Sequence, residues 1–228
     1  MAFEEYENTF PGNWAKVIDQ YANLNTQYIR YAGDTTLWYG EMTNTGLLAT
    51  AAWMAGAPAI SEVRELKRVY NDRPGRPGPS TGRVDLFFYP DGLEGHWVET
   101  KILARPIDIS RRPRNHRVIA GLDDRMQSAL RDARQCHEVS RANQGVAVAL
   151  CLIPFVLNCC YYQRGPGRIK DRVARAQVSV DLIRNYVGDS DLSWAAYFDT
   201  QNIQVRDEDD RRPFGFGVVG HFQRFDGP

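Results

Sequence analysis

Residues Gly145 to Leu157 read Gly-Val-Ala-Val-Ala-Leu-Cys-Leu-Ile-Pro-Phe-Val-Leu, an apolar run with no polar face. A half-buried strand or a surface helix would alternate apolar with polar residues, so this run suits a β-strand covered on both sides. Covering both sides takes helices, and the chain offers them. Ile169, Val173, Ala176, Val180 and Ile183 recur at helical spacing between Arg168 and Tyr186, and a more polar helix is expected from about Leu122 to Arg141. Thr36 to Gly56, rich in Leu and Ala and stopped by Gly56 and Pro58, predicts a third, buried helix. An α/β protein follows. The apolar run is too short to cross a bilayer and contains Pro154.

A hairpin lies between these elements. Gly82 to Tyr89 and His96 to Leu103 are strand-length segments rich in Val, Phe, Tyr and Trp, joined through Pro90-Asp91-Gly92. Side chains alternate along a strand, so Glu99 and Lys101 share one face while Val98, Thr100 and Ile102 share the other. If Asp85 on the first strand faces Glu99, two carboxylates and one ammonium converge. Hard oxygen ligands beside a point cation suit Mg²⁺ and a phosphate. Upstream, Ile60 to Tyr70 reads as a strand or a short helix, and Arg73 to Gly82 is a loop full of Pro and Gly. Downstream, Ser193 to Phe198 and Phe214 to Phe222 read as strands.

Asp85 on one strand, then Glu99-Thr100-Lys101 on the next, resembles the signature of the PD-(D/E)xK, or restriction-endonuclease-like, nucleases. Val84 stands where the family's name has Pro. The resemblance spans Leu37 to Leu157 and implies a restriction-endonuclease-like core, a central mixed β-sheet flanked by helices in the order α-β-β-β-α-β. It divides the chain into an N-terminal helical extension, 1–35, packed on a single nuclease domain, 36–228. It further implies a hydrolase that cuts phosphodiester bonds by in-line attack of water, with DNA favoured as substrate. Asp85, Glu99 and the backbone carbonyl of Thr100 would hold Mg²⁺, for which Mn²⁺ can substitute, and Lys101 would face the attacking water. The family often adds an acid from the first helix, and Glu41 is the candidate, with Glu62 and Glu65 as fallbacks. The bland readings are a helix-dipole role for Glu41 and modest ion pairs for the other three. Against them stands the scarcity of Lys beside Arg: a compact ammonium at this position does what a guanidinium fork does less well. The alternative function is a nuclease-fold protein that binds nucleic acid or a partner without cutting it.

Formal charge balances to zero, so nucleic acid would have to be held by local patches. Arg105, Arg111, Arg112, Arg114 and Arg117 form one such patch, in a loop leaving the strand that carries Lys101, with Arg125 on the following helix. Arg164, Arg168, Lys170, Arg172 and Arg175 form a second. Cys136, Cys151, Cys159 and Cys160 lack metal-ligand spacing and read as reduced thiols. Ala2 to Asn8 is acidic and shows no secretory leader, so the expected location is the cytoplasm. Trp14, Val17, Ile18, Tyr21, Leu24 and Tyr28 form one helical stripe within Phe3 to Tyr31, suited to core or to a subunit interface. A homodimer is expected, since two-fold symmetry matches a duplex. A separate specificity subunit, in a restriction or phage-defence setting, is expected only by analogy.

Overall fold

The computed structural model describes residues 3–32, 35–68, 79–92, 94–108, 115–140, 145–158, 169–188, 191–199 and 211–225. Along the chain the elements are β1 (Phe3–Asn8), α1 (Asn13–Ala32), a 3-10 turn (Thr36–Tyr39), α2 (Glu41–Met54), β2 (Ala59–Arg68), β3 (Pro79–Phe88), β4 (His96–Ile102), β5 (Ile107–Asp108), α3 (Asn115–Ser140), β6 (Gly145–Asn158), α4 (Ile169–Val187), β7 (Leu192–Asp199) and β8 (Arg211–Phe225). The apolar run is β6, and it lies inside one mixed sheet of order β1-β7-β8-β6-β4-β3-β2, with β5 also alongside β6. β4 runs parallel to β6, and α3 lies between them in the chain. The other neighbours on the main path are antiparallel.

Strand periodicity divides β6 between two cores. Val146, Val148, Leu150 and Leu152 pack with residues of α1 and α2. Ala149, Cys151, Ile153 and Phe155 pack with residues of α3 and α4. The strand is thus apolar throughout because both of its faces are dry. Trp14, Val17, Ile18 and Tyr21 are buried in the first core, with Leu24 packed against it. The aromatic stripe of α1 is therefore spent within its own chain and is not the seam of a dimer. Among the described residues no helix is long and apolar enough to cross a membrane.

Several boundaries differ from those expected. Phe3 to Asn8 is not helical but pairs with β7 as an edge strand. The Thr36 to Gly56 helix is broken by Gly40, whose φ of 88° glycine adopts at little cost. The segment expected as strand or short helix is a strand, β2, over Ala59–Arg68, with residues 69 and 70 outside the described residues, and β3 begins at Pro79, inside the expected Pro/Gly loop. α3 begins at Asn115 rather than Leu122, so Arg117 lies on a helix, exposed, and not on a loop.

Pro154 cannot donate to a ladder. β4 pairs β6 as far as Leu152, and β5 takes up the pairing at Phe155. The N–H and C=O of a strand residue point to the same edge, and the Leu152 carbonyl accepts from Leu103 N–H on the β4 side. Pro154, two residues on, therefore aims its missing donor into the gap between β4 and β5. The gap is a notch at the end of β4.

His96 ties α1 to the sheet. Trp14 Nε1 donates to His96 Nδ1 at 3.1 Å, so the imidazole is neutral and carries its proton on Nε2. Burial pushes the imidazole down to about 4, helped by Arg224 and opposed by Glu94 and Asp91. The unfolded chain therefore binds more protons than the folded one below the ordinary value of 6.5. Stability should be full above that value and fall toward about pH 4, by about 3 kcal/mol across the window. Urea unfolding at a series of pH values checks this. His96→Gln should flatten the slope, and an unchanged slope would assign the acid sensitivity elsewhere.

Candidate active site

β3 and β4 form a fork. They pair at Phe88–His96, Phe87–Trp97 and Leu86–Val98, and then part. Past the fork, β4 keeps β6 on one edge and leaves its other edge open. Two carboxylates fill in for the missing strand. Asp85 Oδ2 accepts from Thr100 N–H at 2.8 Å, and Glu41 Oε1 lies 3.4 Å from Ile102 N. Backbone donors without a strand partner need acceptors, and here both acceptors are acidic.

The alternation of β3 slips at Asp85. Leu86 and Phe88 enter the first core, yet Val84 joins Phe87 and Trp97 in a separate cluster on the opposite face. Between those two phases the Asp85 carboxylate runs along the sheet toward the β4 backbone. Glu62, which falls opposite Asp85 in the β2–β3 register, has φ of 57°, a conformation rare for a residue with a side chain. The local geometry is irregular on both strands at the aspartate. Glu62 itself pairs with Arg83 at 2.5 Å on the exposed side and is no part of the site. The side chain of Glu65 lies outside the described residues.

Lys101 stands at the end of β4. Its side chain is only 16% exposed, with Nζ 3.5 Å from Glu41 Oε2 and 3.8 Å from Asp132 Oδ2. Glu99, two residues earlier on the same face, is 2% exposed. Across the sheet from Lys101 is Cys151, whose free thiol burial pushes up to about 12, which makes it inert rather than nucleophilic.

Glu41 reaches this point because the chain turns sharply at Gly40. Asn44 Nδ2 donates to the carbonyls of Gly40 (2.8 Å) and Thr36 (2.9 Å). Its Oδ1 accepts from Tyr21 Oη at 2.6 Å and Thr36 Oγ1 at 2.9 Å. Burial raises the Tyr21 phenol, so it stays a neutral donor. This buried net holds the turn against α1 and aims the first residue of α2 across the fork. Glu41 thus does more than complement its own helix dipole.

Of the residues expected from sequence, Asp85 is bonded to the Thr100 backbone and Glu41 is paired with Lys101, two separate links along one edge of β4, and Glu99 lies between Val98 and Thr100 on the same strand. Arg105 is exposed just beyond β4. Arg111, Arg112 and Arg114 lie outside the described residues, as do the side chains of the second basic set. Asp132 was not foreseen. It sits on α3 beside the buried Ala129 and Ala133, small residues that let the helix approach the sheet. An acid bordering such a stripe is the only signal the sequence carried.

Among the described residues no group of three or more His, Cys, Asp or Glu side chains is gathered to hold a metal. Mg²⁺ does not demand one, since one or two carboxylates, waters and a substrate phosphate usually hold it. Asp85 and Glu99 are all-oxygen donors of that kind, and the Thr100 carbonyl shares the open edge with its N–H. The residues fit a hard divalent ion that substrate helps to complete.

A cleft of about 370 Å³ opens in the notch beside Glu41, walled by Trp38, Ile102, Ala104, Pro106 and Pro154 among others. It lies past the carboxyl end of β4, the place where open sheets with parallel strands bind ligands. Comparison of the chain with family models, with curated proteins and with solved structures returned no match.

Proposed function

We propose that this protein is a metal-dependent nuclease with a restriction-endonuclease-like core, hydrolysing phosphodiester bonds of nucleic acid, DNA in preference. The observation that carries the reading is the fork: Asp85 bonded to Thr100 N–H at 2.8 Å, with Glu41 joined to Lys101 at 3.5 Å across the same open edge. The segment from α2 to β6 supports it too, running α-β-β-β-α-β apart from the two-residue β5, with β4 parallel to β6. Asp85, Glu99 and the Thr100 carbonyl would hold Mg²⁺ or Mn²⁺, which when bound polarises a phosphoryl group and acidifies water. Lys101 places its ammonium where negative charge grows on the phosphorane during in-line attack. Glu41 and Asp132 hold that ammonium from two sides, so it need not reorganise as charge develops. The resemblance implies 5′-phosphate and 3′-hydroxyl products.

The test is incubation of a supercoiled plasmid and a circular single-stranded DNA with Mg²⁺ or Mn²⁺, with chelator as control. Cleavage abolished by chelator is the expected result. A second reading, binding without catalysis, is favoured by one observation, the near-complete burial of Glu99 at 2% exposure, which leaves its carboxylate little access to an ion or a substrate. Tight binding with no cleavage under either metal would select it.

Asp132 gives a finer prediction. Asp132→Asn is expected to lower kcat about tenfold, as loss of a partner to a reactive group does. Binding should not weaken, because a negative charge is removed. Single-turnover cleavage and fluorescence anisotropy separate the two. Weaker binding at unchanged kcat would place Asp132 outside the chemistry. A homodimer, if formed, uses a surface other than the α1 stripe, and light scattering decides it.

A further inference from the structure

The cleft beside Glu41 is walled by an aromatic ring that the proposed chemistry does not use. Trp38 is 40% exposed although it sits in a 3-10 turn whose neighbours Thr36 and Leu37 are buried. It lines the cleft together with Glu41, whose carboxylate reaches Lys101. Tyr39 follows, 53% exposed, and is braced edge-on by Tyr28 at 6.0 Å. Arg105, exposed, stands between Ala104 and Pro106, both of which line the same cleft. An aromatic wall, an exposed arginine on the segment that lines the cleft and a lysine paired with the lining Glu41 lie in one place.

We infer that this cleft receives an unpaired base next to the phosphate being cut, so that the enzyme acts on single-stranded or frayed nucleic acid. The inference rests on the nuclease reading and deepens it. The occupant follows from three properties. The volume, about 370 Å³, lies at the small end of ligand pockets and has room for one nucleobase. The Trp38 wall offers a π-face, which stacks any base regardless of sequence. Positive charge lies beside the cleft, in Lys101 paired with the lining Glu41 and in exposed Arg105 between the lining residues Ala104 and Pro106, and it complements a phosphate backbone next to that base. A base in a duplex is stacked and paired and would have to be extruded to enter, a cost that a single strand does not carry.

The experiment measures anisotropy of a fluorescein-labelled oligonucleotide in chelator, as a single strand and as the matching duplex, for wild type, Trp38→Ala and Trp38→Phe. Cleavage of both forms is followed in parallel with Mn²⁺. The expected result is single-strand binding about tenfold tighter than duplex, lost about tenfold in Trp38→Ala and largely restored in Trp38→Phe. Circular dichroism confirms that each variant folds. Equal binding of the two forms, unmoved by Trp38→Ala, overturns the base pocket while cleavage keeps the nuclease reading alive. A Trp38→Phe protein as weak as Trp38→Ala overturns it as well, since stacking would then not be the cause. Absence of both binding and cleavage overturns both readings together.

Discussion

Lys101→Ala is expected to slow phosphodiester cleavage about 10²–10³-fold, the usual loss when one positioned donor to a developing anion is removed. The fold should survive. The partners of Lys101, Glu41 and Asp132, are both substantially exposed, and ion pairs of that kind contribute about 0–1 kcal/mol. Lys101→Arg should rescue little, because a planar guanidinium cannot occupy the point that a compact ammonium holds between two carboxylates. Single-turnover rates with unchanged thermal melting are the readout. If Lys101 were only part of a surface ion-pair set, the rate would be unmoved.

Asp85→Asn is the second large effect. An Asn side-chain oxygen can still accept from Thr100 N–H, so the fork keeps its closure while the negative charge is lost. Cleavage should drop about 10²-fold or more, with a higher Mn²⁺ concentration needed for what remains, because a hard-cation donor has been neutralised. Asp85→Ala is the poorer variant, since it orphans a partly buried backbone N–H at a cost of about 1–3 kcal/mol and mixes folding with function. Comparing the two separates structural closure from charge. An Asn variant as active as wild type would leave Asp85 a purely structural acceptor.

What could be read from residues alone follows from how strongly each element writes its pattern. β6 was legible because a strand dry on both faces has no polar residue to confuse its period. The β3–β4 hairpin was legible from aromatic and β-branched segments around Pro90-Asp91-Gly92, and Glu41 as the acid of the helix that α2 begins. β1 was not, because Phe-Glu-Glu-Tyr-Glu-Asn pairs at a sheet edge through backbone bonds and carries no apolar alternation. The break at Gly40 was hidden because apolar spacing continues across it, and a glycine within a helical pattern does not announce a positive φ. That break is what exposes Trp38 and aims Glu41, so missing it also hid the cleft. The slip in alternation at Asp85 has no sequence signal either, since it depends on how β2 and β4 sit on each side. Asp132, thirty-one positions beyond Lys101 in the chain, meets it only once α3 has crossed back over the sheet.

The most direct measurement is an anomalous difference map from crystals soaked in Mn²⁺. One strong peak is expected within coordination distance of Asp85, Glu99 and the Thr100 carbonyl oxygen. A map with no peak at the fork, or with those two carboxylates turned away from one another, would contradict it.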